Sequence, residues 1–402
     1  MATRSGTIAA NKRVGGGRSR ATRVLLHPGH PAVLIAIVAG LLVITGLVMI
    51  FSSSFVTSLE NTGSSFAYFQ KQLLWTLVGI VGFVVAARMD YRHLRRFGIV
   101  LYLGCVAMLV AVLLPGVGIT AGGSSRWLGA GALAFQPSEP AKLALILFGA
   151  QVFTRKKEET FEDLGHTVVP MIPAIGIMAA LVLWQPDLGT TMLLGAIGIG
   201  MLFVAGAPLR HLIPISSLGA GVAFAAAMIE PYRRARILSF LDPWRDPLNT
   251  GYQTIQSLIA LGSGGVFGVG LGASRQKWLY VPNAHTDFIF AILGEEMGLI
   301  GTFTVVGLFA FFTYLGIKTA QRAPDRFGML VAAGITIWIS TQAIVNMGAV
   351  AAALPITGVP LPLVSFGGTS LVISLIAIGI LVNIAMQGRH SRPRRQRRAG
   401  PR

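Results

Sequence analysis

Apolar stretches close to twenty residues long recur along this chain, and each is long enough to cross the hydrocarbon core of a bilayer as one helix. Lipid offers no hydrogen bonds, so a backbone that crosses it repeatedly is restricted to helices or a closed barrel. Runs of this length select the helix. Composition agrees: of 402 residues, 53% are hydrophobic and only 12% charged, where soluble domains carry about a quarter charged residues. The formal net charge of +18 would suit a nucleic-acid partner, but its placement points elsewhere. About two dozen Lys and Arg fall in the tails and in alternate loops, against about eight in the remaining loops, which is the asymmetry of the positive-inside rule. No nucleic-acid partner is therefore expected. The single cysteine, Cys105, lies within an apolar run, so no intrachain disulfide is possible. Nothing near the start reads as a cleavable signal peptide.

Taken in order, the chain reads as an all-α polytopic membrane protein of about ten transmembrane helices with both termini cytoplasmic. Residues 1–30 form a basic cytoplasmic tail expected to be disordered, 31–387 a single transmembrane domain, and 388–402 a second basic tail. The expected spans cover 31–51, 72–87, 97–114, 141–153, 167–184, two more up to Glu230, then 286–317, 329–350 and 369–386. A large outer loop, 231–284, separates spans seven and eight and contains an amphipathic piece, 254–261. Arg155-Lys156-Lys157 marks the inner end of span four. No tandem repeat and no Walker A loop is evident, so neither a repeat-built transporter nor ATP-driven work is indicated.

Under this topology the outer ends of the spans carry Glu139, Asp187 and Asp287, with Arg126, Lys142, Arg275 and Lys277 in the same loops. A basic lining with a few carboxylates suits a lipid that carries a diphosphate. Each residue also has a plainer reading. Basic side chains at the interface snorkel to headgroups. Arg126-Trp127 reads equally as an interface anchor or a sugar platform. Glu139 and Lys142, spaced i,i+3, would meet on one helix face as an ion pair. Asp187, behind Pro186, reads first as a helix cap, and Thr286 or Asp287 could cap span eight. Glu295 and Glu296, roughly 12 Å of helical rise beyond Asp287, read as buried helix–helix contacts. His285 is the one histidine placed outside, and no metal-ligand cluster exists in the sequence.

Several motifs together carry a resemblance. Arg126-Trp127 followed by Phe135-Gln136-Pro137-Ser138-Glu139 and Lys142, then Gln185-Pro186-Asp187-Leu188-Gly189-Thr190, resemble two segments of the SEDS family (shape, elongation, division and sporulation). Tyr252-Gln253 through Gln256-Ser257, His285-Thr286-Asp287-Phe288, and Leu361-Pro362-Leu363-Val364-Ser365-Phe366-Gly367-Gly368 resemble its large and last outer loops. Asn283-Ala284 before His285 is similar to the division-type branch rather than the elongation type. Phe366 and Pro140 depart from the usual pattern. The resemblance implies a peptidoglycan glycosyltransferase polymerising lipid II at the outer face of the bacterial cytoplasmic membrane, at the septum. Asp287 would then be the general base of an inverting displacement that expels undecaprenyl diphosphate. Arg126, Trp127, Gln136, Glu139, Lys142, Asp187, Gln256, Ser257, Lys277, His285, Thr286 and Ser365 would contact substrate. It further implies a class B penicillin-binding protein and other divisome membrane proteins as partners. No motif binds a cofactor, although a divalent cation, Mg or Mn, could travel with the diphosphate. An interface setting should raise the Asp287 pKa, with Lys277 or His285 opposing. A lipid II flippase and the elongation-type polymerase are the alternatives.

Overall fold

In a computed structural model of the chain, residues 29–121, 124–129, 134–155, 170–278, 280–281 and 284–388 are described. The two tails, Lys156-Lys157 and Asn283 lie outside them. The bundle consists of α1 (Pro31–Thr62), α2 (Ala67–Arg88), α3 (Gly98–Leu113), α4 (Ser138–Thr154), α5 (Met171–Trp184), α6 (Leu188–Ala205) and α7 (Leu209–Ile229). It continues with the outer helices α8 (Pro231–Leu241) and α9 (Tyr252–Ser263), then α10 (Ile289–Gln321), α11 (Arg326–Val350) and α12 (Gly368–Gly388). Seven of these helices are long and apolar enough to cross a membrane: α1, α2, α6, α7, α10, α11 and α12. The shorter α3 and α5 are apolar as well. The fold is an all-α polytopic membrane fold.

Two boundaries differ from the sequence reading. α1 runs to Thr62, well past the expected end near residue 51, because the serines beyond that point are buried rather than solvated: Ser52, Ser53, Ser54 and Ser58 are all inside. The outer segment after α3 holds a small antiparallel hairpin, β1 (Ile119–Ala121) with β2 (Ser124–Trp127), which helical periodicity gave no reason to expect.

Helices with buried stripes form the centre. α10 packs on α11, α2 on α12, and α3 on α4. Trp338, Phe312 and Leu42 are fully enclosed. Large apolar side chains outside this core, such as Ile37, Leu41, Ile44 and Val48 on α1, follow one face at helical spacing, as a lipid-facing stripe does. At the basic end, Asn383 ties α12 to the α2 terminus: its Nδ2 donates to the Ala87 carbonyl at 2.7 Å, and its Oδ1 accepts from Tyr91 N at 3.2 Å. Tyr91 Oη donates to Asp325 Oδ2 at 2.7 Å, joining that turn to the start of α11.

α10 is broken. Gly298 adopts φ 64°, ψ −160°, and the glycine-rich stretch after α9 fills the gap. Val269 N donates to the Glu295 carbonyl at 2.9 Å and Gly270 N to the Glu296 carbonyl at 3.1 Å. From the other side, Leu299 N donates to the Gly265 carbonyl at 3.0 Å and Ile300 N to the Val266 carbonyl at 3.3 Å. Four backbone hydrogen bonds that a break within the bilayer would otherwise forfeit are replaced in this way. The glutamate side chains complete the joint. Glu295 Oε1 accepts from Arg275 N at 2.9 Å and its Oε2 from the Ser274 hydroxyl; Glu296 Oε1 accepts from Ser52 Oγ at 2.6 Å. Glu295 and Glu296 thus hold a loop to the helix as much as helix to helix, the correction coming from a stretch that folds into the bundle instead of staying outside it.

Gly298 is required here by both conformation and space. A Cβ on it would lie 2.4 Å from Gly268 N, and φ near +64° is disfavoured for any other L-residue. Gly298→Ala is expected to lower the midpoint of thermal unfolding in detergent, a loss of roughly 1–3 kcal/mol. Gly104→Ala, on α3 where an added Cβ meets nothing within 4 Å, should leave the midpoint unchanged or slightly raised. Equal behaviour of the two variants would refute the reading of the break.

Candidate active site

Three outer segments meet above the bundle. The first is the turn between α5 and α6. Asp187 there caps α6: its Oδ1 accepts from Thr190 N at 3.0 Å and its Oδ2 from Thr190 Oγ1 at 2.9 Å. The cap explains why an aspartate follows Pro186. Arg126, from β2, reaches over the same turn, donating from Nε to the Gln185 carbonyl at 2.9 Å, with Nη1 4.0 Å from Asp187 Oδ2. The hairpin is thus fastened to the cap, and a carboxylate and a guanidinium are left side by side.

The second segment is the run 284–288 that enters α10. Asp287 does not cap that helix with its side chain, since α10 starts with no side-chain cap. Its main chain is held instead: Asn346 Nδ2, on α11, donates at 2.8 Å to both the Asp287 and the Val359 carbonyls. That pair of hydrogen bonds ties Asp287 to the third segment, the Pro- and Gly-rich loop 355–367. Asp287 lines a narrow crevice with Asn346, Ile356, Thr357, Gly358 and Val359. Gly358, at φ 72°, has no side chain to intervene: a Cβ there would sit 3.6 Å from Asp287 Oδ2 and 4.0 Å from Arg236 Nη1. Asp287 and Arg236, on α8, therefore both border the space beside Gly358.

Burial pushes the Asp287 pKa up to about 6; Arg236 opposes, the Asp187 charge adds to the rise, and Arg126 opposes again. The direction matches the sequence expectation, but the opposing cations differ. Lys277 lies elsewhere: its Nζ is 3.5 Å from Glu296 Oε1 and donates to the Gly272 carbonyl at 2.5 Å. His285 sits against Tyr68 and Phe366, with ring centroids 5.3 and 5.5 Å away. Burial there lowers its pKa to about 4, so the imidazole is neutral at pH 7. A carboxyl poised near 6, on which the Arg236 and Arg126 charges both act, can take a proton from an attacking hydroxyl while positive charge waits for an anionic leaving group.

The remaining sequence candidates fall into different surroundings. Lys142 and Glu139 do pair, at 2.8 Å, but inside the bundle. Lys142 is 1% exposed, also donates to Gln342 Oε1 at 3.1 Å, and lies over the Trp338 ring. Gln342 Nε2 donates onward to the Pro360 carbonyl at 2.9 Å, so this buried pair supports the loop beneath Asp287 from one helical turn below Asn346. Ser257 is fully buried, donating to the Val350 carbonyl at 2.6 Å, while Gln256 is half-buried beside it. Ser365 Oγ accepts from Leu361 N at 2.8 Å and shapes the last outer loop. Trp127, Gln136 and Thr286 are half-buried. Arg236, Gln342 and Asn346 were missed as site residues. The last two had a signal: polar amides spaced i,i+4 within a span as apolar as α11 carry a cost that a partner must offset.

Single neutralisations, Lys142→Met and Glu139→Gln, should each destabilise the protein strongly, by about 3–5 kcal/mol, because each leaves a buried charge unpaired. The double variant should recover part of that loss. A double-mutant cycle on thermal unfolding measures the coupling, and purely additive losses would show that the two side chains act separately.

Comparison with known proteins matches residues 32–390 to the FtsW, RodA and SpoVE cell cycle protein family. A probable peptidoglycan glycosyltransferase FtsW of Mycobacterium tuberculosis is 44% identical over 354 residues, covering 88% of this chain and 67% of the relative. The stage V sporulation protein E of Bacillus subtilis is 40% identical over 360 residues, covering 90% of this chain and 98% of the relative. Among solved structures, one from a peptidoglycan synthase complex that coordinates polymerization and crosslinking superposes with a TM-score of 0.72 at 27% identity, covering 89% of this chain and 98% of the other. The rod shape determining protein RodA of Thermus thermophilus shares the fold, with a TM-score of 0.65 at 24% identity over 88% of this chain and 96% of its own. The chain belongs to the FtsW, RodA and SpoVE family of multi-pass membrane glycosyltransferases.

Proposed function

We propose that this chain is a peptidoglycan glycosyltransferase that polymerises lipid II at the outer face of the bacterial cytoplasmic membrane, in septal wall synthesis. The observation that carries the reading is the Asp287 carboxyl, held in a crevice between α10 and the last outer loop with its pKa near 6. In this mechanism the 4-hydroxyl of the acceptor sugar loses its proton to Asp287 as its oxygen bonds to the anomeric carbon of the donor. The bond from that carbon to the diphosphate breaks in the same displacement. The configuration inverts, and undecaprenyl diphosphate departs with the electron pair. Arg126 and Arg236 supply positive charge on that side. Among the described residues no group of three His, Cys, Asp or Glu side chains converges, so a divalent cation, Mg or Mn, would arrive with the diphosphate as part of the substrate.

The family favours a partner that crosslinks the product, which we take to be a class B penicillin-binding protein within the divisome. Identity to FtsW-named relatives supports the division role over the elongation role. A flippase would need polar groups along a path through the membrane. Here the deep polar groups Glu295, Glu296 and Lys277 are engaged in fastening a loop, which argues for the enzyme.

Asp287→Asn should cut polymerisation of purified lipid II by about 100-fold or more, the usual worth of a general base. The same change should not destabilise the fold. An acid whose folded pKa is raised from 3.8 to about 6 binds its proton more tightly when folded, and this contribution is lost as pH climbs between those values. At pH 7 the charged form opposes folding, so the Asn variant should unfold at the same temperature or higher. A variant that unfolds early, or one that polymerises at the native rate, would each count against the assignment.

The pH profile gives an independent check. The base works ionised, so kcat/KM should fall below pH 6 with an acid-limb pKa near 6. Arg236→Gln removes the main opposing charge, so the limb should move upward. A limb that stays fixed in that variant would place Arg236 away from the reacting carboxyl.

A further inference from the structure

The basic end of the bundle, far from Asp287, carries a cavity that the outer site does not use. It encloses about 460 Å³ and is lined by Arg92, Arg95, Arg96, Arg155, Asp325 and Phe327. Two separate elements bring these arginines together, the turn Tyr91–Arg96 between α2 and α3 and the end of α4, while the start of α11 adds Asp325 and Phe327. The one carboxylate in the lining is already engaged. Asp325 Oδ2 accepts from Tyr91 Oη at 2.7 Å and Arg92 Nε at 3.1 Å, and its Oδ1 accepts from Gly328 N at 2.7 Å. Arg92 shares its guanidinium between Asp325 and Asp90, the latter at 3.9 Å. Among the described residues, Arg95, Arg96 and Arg155 have no carboxylate within ion-pair distance.

The positive-inside rule asks for basic residues in the inner loops. It does not ask that guanidiniums from the turn after α2 and from the end of α4 face one hollow, where like charges repel. A bound anion removes that cost, and the planar fork of arginine matches phosphate oxygens with two parallel hydrogen bonds. The hollow opens where the inner leaflet meets the cytoplasm. We propose that this cavity binds a phosphate-bearing anion, and its position favours the phosphodiester headgroup of an anionic inner-leaflet lipid over a free phosphate ester. An anion held there clamps the turn after α2 to the end of α4.

The test uses the full chain purified in detergent and stripped of lipid, with bound lipid counted by native mass spectrometry. Dioleoyl phosphatidylglycerol should bind at least about tenfold more tightly than dioleoyl phosphatidylcholine, because only the former brings a net charge to the arginines. The triple variant Arg95→Gln, Arg96→Gln, Arg155→Gln should lose that preference. Arg155→Gln alone, at an exposed helix end and so safe for folding, should weaken it several-fold. Competition by sn-glycerol 3-phosphate at millimolar concentration, with no preference between the two lipids, would assign the site to a soluble phosphate ester rather than a lipid. Equal phosphatidylglycerol binding by wild type and both variants would overturn the proposal. Glu158, Glu159, Glu162 and Asp163 follow Arg155 in the sequence. If a preference emerges only once these four are changed to amides, the chain's own acids neutralise the arginines and the proposal falls.

Discussion

The break in α10 is the constraint on which the outer half of the molecule depends. A continuous helix from Ile289 would direct its backbone bonds only to itself and leave the glycine-rich stretch after α9 outside. At Gly298 the ladder opens, and four main-chain bonds from residues 265–270 replace the missing ones. The geometry works because Gly268 and Gly298 lack side chains at the point of closest approach. Non-helical backbone is tolerated at this depth only where other protein groups satisfy it, and here the arrangement also fixes the short helical piece that carries Asp287 at its entrance.

Polar groups in the outer half divide into those that build and those that face the crevice. Lys142 with Glu139, and Lys277 with Glu296, form buried pairs. Their net energetic value is small against well-packed apolar substitutes, but each partner is costly to remove alone. What they secure is position: through Gln342 and Pro360 the first pair props the last outer loop, and the second pair anchors the inserted one. Asp287 is left with guanidiniums rather than ammoniums nearby. Arginine stays charged in any such setting and presents a fork suited to diphosphate, so the division of labour between lysine and arginine has a chemical basis.

The sequence by itself determined the class of fold, an all-α polytopic membrane bundle. That class rests on a quantity local in sequence, the length of an apolar run against bilayer thickness. It also placed the Glu139–Lys142 pair, since i,i+3 spacing is a property of one helix, and the motif around Asp287 stood out for the same reason. Tertiary structure decided the rest. That α1 extends through a serine-rich turn to Thr62, that Lys277 points to Glu296 rather than toward Asp287, and that the Arg236 charge acts on the Asp287 carboxyl all depend on contacts between segments distant in the chain. No periodicity encodes which of two nearby acids a lysine will meet once a loop folds back into a broken helix. The burial that raises the Asp287 pKa is a property of the assembled crevice, where α10, α11 and the last outer loop together exclude the water that a lone sequence position would keep.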